Sequence, residues 1–108
     1  MTALAPHVTA FFREGLPTER GASAHTCTAY AYSFKLLLAF MSKRLRRAPS
    51  SLKLEHLDAA IVAAFLKHLE SERGCSVSTR NARLAAIRSF VHYIFGGALR
   101  LIHSWRSS

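Results

Sequence analysis

An all-α domain of four helices is the fold class this sequence predicts, and three observations predict it. Residues Tyr30, Ser33, Phe34, Leu37, Phe40, Met41 and Arg44 recur at helical spacings of three and four. Gly and Pro, the strongest helix punctuators, fall between such stretches: Gly15, Pro17 and Gly21, then Pro49, then Gly74, then Gly96 and Gly97. No segment makes a convincing strand. With 108 residues and 50% hydrophobic content, the chain can bury one core without metal or disulfide support.

The first helix is expected to begin near Pro6, a residue suited to a first helical turn, and to end by Gly15, with Val8, Phe11 and Phe12 inward. Gly15 to Ala22, containing Pro17 and Gly21, reads as a loop. The second helix should run from Ala24 to Leu45, its stripe turned to the core and Lys35 and Ser42 on the opposite side. Lys43, Arg44, Arg46 and Arg47 close it, where cations suit the negative end of the helix dipole, and Pro49 prevents continuation.

Asp58 is the expected N-cap of the third helix, whose Ile61, Val62, Phe65, Leu66 and Leu69 form an apolar stripe ending near Gly74. The fourth helix should start after Ser76 and run to Phe95, with Leu84, Ile87, Phe90, Val91 and Ile94 inward, and Gly96 and Gly97 should end it. Asn81, Arg88 and His92 form a polar stripe beside that buried face. Residues 1–95 are thus expected to be the folded domain and 96–108 a tail, flexible or partly ordered.

The charge pattern says most about function. The net charge is +9, and all six acidic residues lie before Gly21 or between Leu54 and Arg73. Two acid-free blocks remain, one with Lys35, Lys43, Arg44, Arg46, Arg47 and Lys53, the other with Arg80, Arg83, Arg88, Arg100 and Arg106. Basic blocks on two different helices point to a polyanionic partner and to one shared face turned toward phosphate. The same two helices open alike, with Ser23-Ala-His-Thr26 and Ser76-Val-Ser-Thr79. Each Ser can cap free backbone N–H groups while the Thr hydroxyl stays available, which suits a cap alone or a cap that also receives phosphate.

Catalytic chemistry is poorly supplied. His7, His25, His56, His68, His92 and His103 stand singly, without zinc-ligand spacing, and no phosphate loop or nucleophile elbow occurs. His25 and Cys27 should diverge on a helix that turns about 100° per residue. His92-Tyr93 is the sole candidate tyrosine nucleophile and reads better as a surface His beside a half-buried Tyr. No metal, cofactor or small-molecule substrate is expected. Cys27 and Cys75 read as reduced thiols. The longest apolar run, Leu36 to Met41, is far below the roughly 20 residues of a spanning helix, and no secretory signal is evident, so a cytoplasmic protein is expected.

The order Ser23-x-x-Thr26-x-x-x-Tyr30, then Leu57-Asp58-x-x-x-Val62-x-x-Phe65-Leu66-x-x-Leu69, then Ser76-x-x-Thr79-Arg80-Asn81-x-Arg83-Leu84-x-x-Ile87-x-x-Phe90 resembles the core-binding domain of tyrosine recombinases, the phage integrase family. It is most similar to recombinases of bacterial mobile elements, and the likeness covers Ala5 to Phe95. The resemblance implies a SAM-like orthogonal bundle of four helices that clamps double-stranded DNA at a recombination half-site, its second and fourth helices facing the major groove.

Carried onto this chain, the resemblance makes Thr26 and Thr79 phosphate neighbours and places Arg80, Asn81 and Arg83 in the polar start of the last helix, with Arg88 beyond. Lys35, Lys43, Arg44, Arg46 and Arg47 join the DNA-binding set by their place on the second helix. Arg83 leans toward the core side, so helix bracing stands beside DNA contact. Tyr30 and Phe90 match core positions. The resemblance implies that a catalytic domain should follow, yet the tail does not look like the linker to one. The expectation is therefore an isolated domain, or a reading frame truncated with a shifted tail, that is not an enzyme by itself. Other protomers are a second partner the family implies. A rival reading is a helical protein-interaction module using Leu36 and Leu38, and a membrane-surface role is disfavoured because the basic helices spend their apolar stripes on the core.

Overall fold

The computed structural model describes residues 3–19 and 23–95. Among them α1 spans Leu4–Ala10 and runs directly into a π-helical segment, Phe11–Glu19; α2 is Ala24–Leu45, α3 is Ala59–Ser71 and α4 is Val77–Phe95. Single 3-10 turns occupy Pro49–Ser51 and Leu54–His56. The described residues contain no strand beyond an isolated antiparallel bridge between Ala3 and Lys53. The all-α, four-helix fold class is borne out. The chain divides into two compact units, Met1–Glu55 and His56–Ser108.

In the first unit the helix starts earlier and ends later than the sequence predicts. Pro6 is the third helical residue, not the first. Any of the first turn's N–H groups lacks an intrahelical acceptor, so Pro is tolerated there too. That earlier start buries Leu4, whose N–H donates to the Leu52 carbonyl at 2.9 Å. Gly15 to Glu19 is wound rather than looped, a correction to the expected loop; residues 20–22, with Gly21, lie outside the described residues. Phe11 and Leu16 are both buried, and they are five residues apart. An α-winding would set them about 140° apart, whereas i→i+5 bonding brings such residues toward one face.

Val8, Phe11, Phe34, Leu37, Met41 and Leu52 complete this core, and Phe12 is half-buried. The rings of Phe11, Phe12 and Phe34 form a mutual cluster with centroids 5.3, 6.2 and 5.7 Å apart. Offset and edge-on pairs of this kind add about 0.5–1.5 kcal/mol each beyond the area they bury. Ser33 is the buried polar residue of α2, and its Oγ donates to the Ala29 carbonyl at 3.1 Å.

Arg46 ends α2 in the left-handed region at φ 54° and ψ 47°, its N–H donating to the Ser42 carbonyl. The Arg47 N–H reaches the same carbonyl at 3.1 Å, and Ser42 Oγ donates to the Arg47 carbonyl. A residue with a Cβ is strained there where Gly is not. Arg46→Gly is expected to stabilise the protein by about 0.5–1 kcal/mol, the relief being offset in part by the larger entropy Gly loses on folding. A circular dichroism melt should show a higher Tm, and an unchanged or lower Tm would contradict the strain.

In the second unit Asp58 caps α3 as the sequence predicts, its Oδ1 accepting from the Ile61 N–H at 2.9 Å, a cap worth about 1 kcal/mol. Helices α3 and α4 pack against each other. The core is Leu57, Ile61, Val62, Phe65, Leu69, Ala86, Ile87, Phe90 and Val91, while Leu66, Leu84 and Ile94, expected inward, are half-buried. Gly74 takes φ +62° after α3, and the Cys75 N–H then closes onto the Leu69 carbonyl at 3.0 Å. The expected stop at Gly96 and Gly97, and the tail with Arg100 and Arg106, lie outside the described residues.

Candidate nucleic-acid interface

The two similar helix starts fold into the same local structure. Ser23 Oγ accepts from the Thr26 N–H at 3.2 Å and donates to Thr26 Oγ1 at 3.1 Å. Ser76 Oγ accepts from the Thr79 N–H at 3.1 Å and donates to Thr79 Oγ1 at 3.1 Å. In both, the two hydroxyls share one hydrogen bond, so one hydroxyl proton of each pair is left for another acceptor. The first two N–H groups of each helix, on Ala24 and His25 and on Val77 and Ser78, have no intrahelical acceptor. Each start therefore offers donors and the positive end of a helix dipole at an exposed place.

In the first unit Lys35, Lys43, Arg44, Arg46 and Arg47 are exposed and Thr26 is half-buried. The Arg44 guanidinium lies 5.8 Å from the centroid of Phe40, one turn earlier, so the end of the predicted core stripe is a surface cation resting on a ring. The remaining four cations have no carboxylate within ion-pair distance among the described residues. At 1.5 Å per residue, Thr26 and the Arg46–Arg47 cluster are separated by about 30 Å along α2. One phosphate cannot meet both ends.

In the second unit Asn81, Arg88 and His92 are exposed along α4, the polar stripe the sequence predicts. Thr79 and Arg83 are half-buried, and Arg83 Nε is buried, in keeping with a side chain that leans toward the core side. Arg80 differs from the free cation a basic block suggests: its Nε lies 3.2 Å from Glu70 Oε1, an ion pair without hydrogen-bond alignment at Nε, and its Nη2 donates to Asn81 Oδ1 at 3.2 Å. Sequence reading missed Glu70. A signal existed in the short connection over 72–76, which sets the last turn of α3 beside the first turn of α4.

No catalytic constellation emerges among the described residues. His25 is exposed and Cys27 half-buried, Cys27 and Cys75 are free thiols, and no group of three His, Cys, Asp or Glu is placed to hold a metal ion. No described helix is long and apolar enough to cross a membrane.

Comparison with known proteins decides the family. The phage integrase N-terminal SAM-like domain matches the chain over residues 9–95. The chain belongs to this integrase domain family. Two Sinorhizobium fredii proteins are similar to this SAM-like domain. One, named "Putative integrase/recombinase y4rD", is 42% identical over 106 residues, covering 92% of this chain and 38% of the relative. The other, named "Putative integrase/recombinase y4rC", is 46% identical over 91 residues, covering 84% of this chain and 27% of the relative. The integrase domain thus spans well under half the length of both relatives. No solved structure matches it. The resemblance drawn from the helix starts and apolar stripes is borne out at the level of family and fold class.

Proposed function

We propose that this integrase SAM-like domain is the DNA-binding module of a site-specific tyrosine recombinase. It holds duplex DNA at a recombination half-site through Thr26, Lys35, Lys43, Arg44, Arg46, Arg47, Thr79, Arg80, Asn81, Arg83 and Arg88, and does no chemistry of its own. The observation that carries the reading is the pair of matching Ser–Thr helix starts, each on an acid-free helix that carries exposed cations, Lys35, Lys43 and Arg44 on α2 and Arg88 on α4. Donor-rich helix starts and exposed arginines position a duplex through its phosphates, while sequence is read by base-edge contacts of side chains such as Asn81. The roughly 30 Å between the ends of α2 is close to one turn of B-DNA, so both ends can meet the same backbone a turn apart.

Fluorescence anisotropy of a labelled duplex across a salt series tests this. Neutralising about five phosphates gives a slope of log affinity against log salt near −4 to −5. Failure to bind even at low salt would remove the DNA reading. Pairing between protomers is a second reading, favoured by half-buried Leu36 and Leu38 on α2 and by Tyr32, which is 45% exposed. Sedimentation velocity would then show a concentration-dependent oligomer without DNA.

A further inference from the structure

Glu70 occupies a place that does nothing for its own helix. It lies in the last turn of α3, where a carboxylate faces the negative end of the dipole and is disfavoured. Its counter-charge is Arg80, held at 3.2 Å, and Asn81 Oδ1 accepts from Nη2 of the same guanidinium. Nε and Nη2 form one of the two-pronged edges by which a guanidinium grips phosphate or a guanine edge. Asn81 therefore takes Nη2 of that edge and the Glu70 carboxylate stands against Nε without a hydrogen bond, on a side chain that is 32% exposed.

We infer that Glu70 is a positioning residue that restrains Arg80, withholding its Nε–Nη2 edge from indiscriminate phosphate contact and fixing it against Asn81 at the start of α4. The inference rests on the DNA-binding reading above and adds a regulator to that site. In the free protein the Glu70 carboxylate stands 3.2 Å from Nε, where it competes with a phosphate approaching that edge. Arg80 then contributes less to binding of random sequence than an unpaired arginine would, because a backbone phosphate must displace an anion already in contact.

The test is anisotropy of a labelled random-sequence duplex with the wild type, Glu70→Gln, Arg80→Gln and the double variant over a salt series, with Glu72→Gln as a control that removes an equal charge two residues away. Folding is checked by circular dichroism, and Gln keeps the size of Glu at an exposed helix position. Releasing Arg80 should steepen the Glu70→Gln salt slope by about 0.9 and tighten low-salt binding about threefold to tenfold. Arg80→Gln is the reference that lacks the guanidinium: the double variant should bind as Arg80→Gln does, without the gain, and Glu72→Gln should leave the slope as in the wild type. A gain that survives in the double variant, or appears equally in Glu72→Gln, would reduce Glu70 to a distant charge and overturn the inference. So would the absence of any gain. A wild type that does not bind the duplex at all would instead remove the DNA-binding reading beneath it.

Discussion

Phe90→Ala is expected to lower stability by about 3–5 kcal/mol, the largest effect of any single substitution considered for this chain. Phe90 is fully buried on α4, in the unit where α4 packs on α3 and where Phe65 and Leu69 are fully buried as well. Truncation at such a site loses the transfer free energy of the ring and leaves a cavity that rigid neighbouring helices fill only in part. A small domain carries about 5–15 kcal/mol in all, so the variant should be largely unfolded at moderate denaturant. Urea denaturation followed at 222 nm by circular dichroism reads the change directly. Phe90→Leu is the comparison: it keeps an apolar side chain of similar reach and should cost less than half as much, mostly through imperfect packing. Equal losses for Leu and Ala would mean that Phe90 acts through its ring contacts rather than through volume.

What was legible in the sequence is what short-range physics decides. Ser23, Asp58 and Ser76 cap their helices as predicted because a capping side chain and the N–H it accepts from lie three residues apart, within one reading window. The core positions Phe34, Leu37, Met41, Ile61, Phe65, Ile87 and Phe90 follow from helical spacing alone. Where sequence reading failed, the deciding interaction was distant or unusual. Leu4 and Leu52 are buried and bonded across the length of the first unit, which no local pattern announces. Pro17 and Gly15 signal a loop, but burial of Phe11 and Leu16 rewards continued winding with i→i+5 bonds. The candidate site shows the same limit. The basic blocks are free of acids along the chain, yet Glu70 of the acidic block meets Arg80 in space, so segregation in sequence is not segregation on the surface.

Replacing Lys43, Arg44, Arg46 and Arg47 together by Gln is expected to flatten the salt dependence of DNA binding by up to about 3.6, at about 0.9 for each phosphate no longer neutralised. That is most of the slope of about −4 to −5 anticipated for the wild type, so binding should nearly vanish at physiological salt. The fold should survive. All four side chains are exposed, and only Lys43 and Arg44 lie in the last turn of α2, where each cation contributes about 0.3–1 kcal/mol against the helix dipole. Removing the Arg44 guanidinium from the Phe40 ring costs about 0.5 kcal/mol more at such an exposed site. Two comparisons locate the interface. Lys67→Gln removes an exposed cation of α3 from the acid-containing block and should leave the slope unchanged, whereas Arg88→Gln on α4 should reduce it by about 0.9. If the quadruple variant keeps the wild-type slope while Arg88→Gln weakens binding, the basic end of α2 is a solvated helix terminus and the phosphates are held by α4. If both flatten the slope in proportion to the charges removed, both helices hold the backbone, which is the arrangement the two acid-free blocks first pointed to.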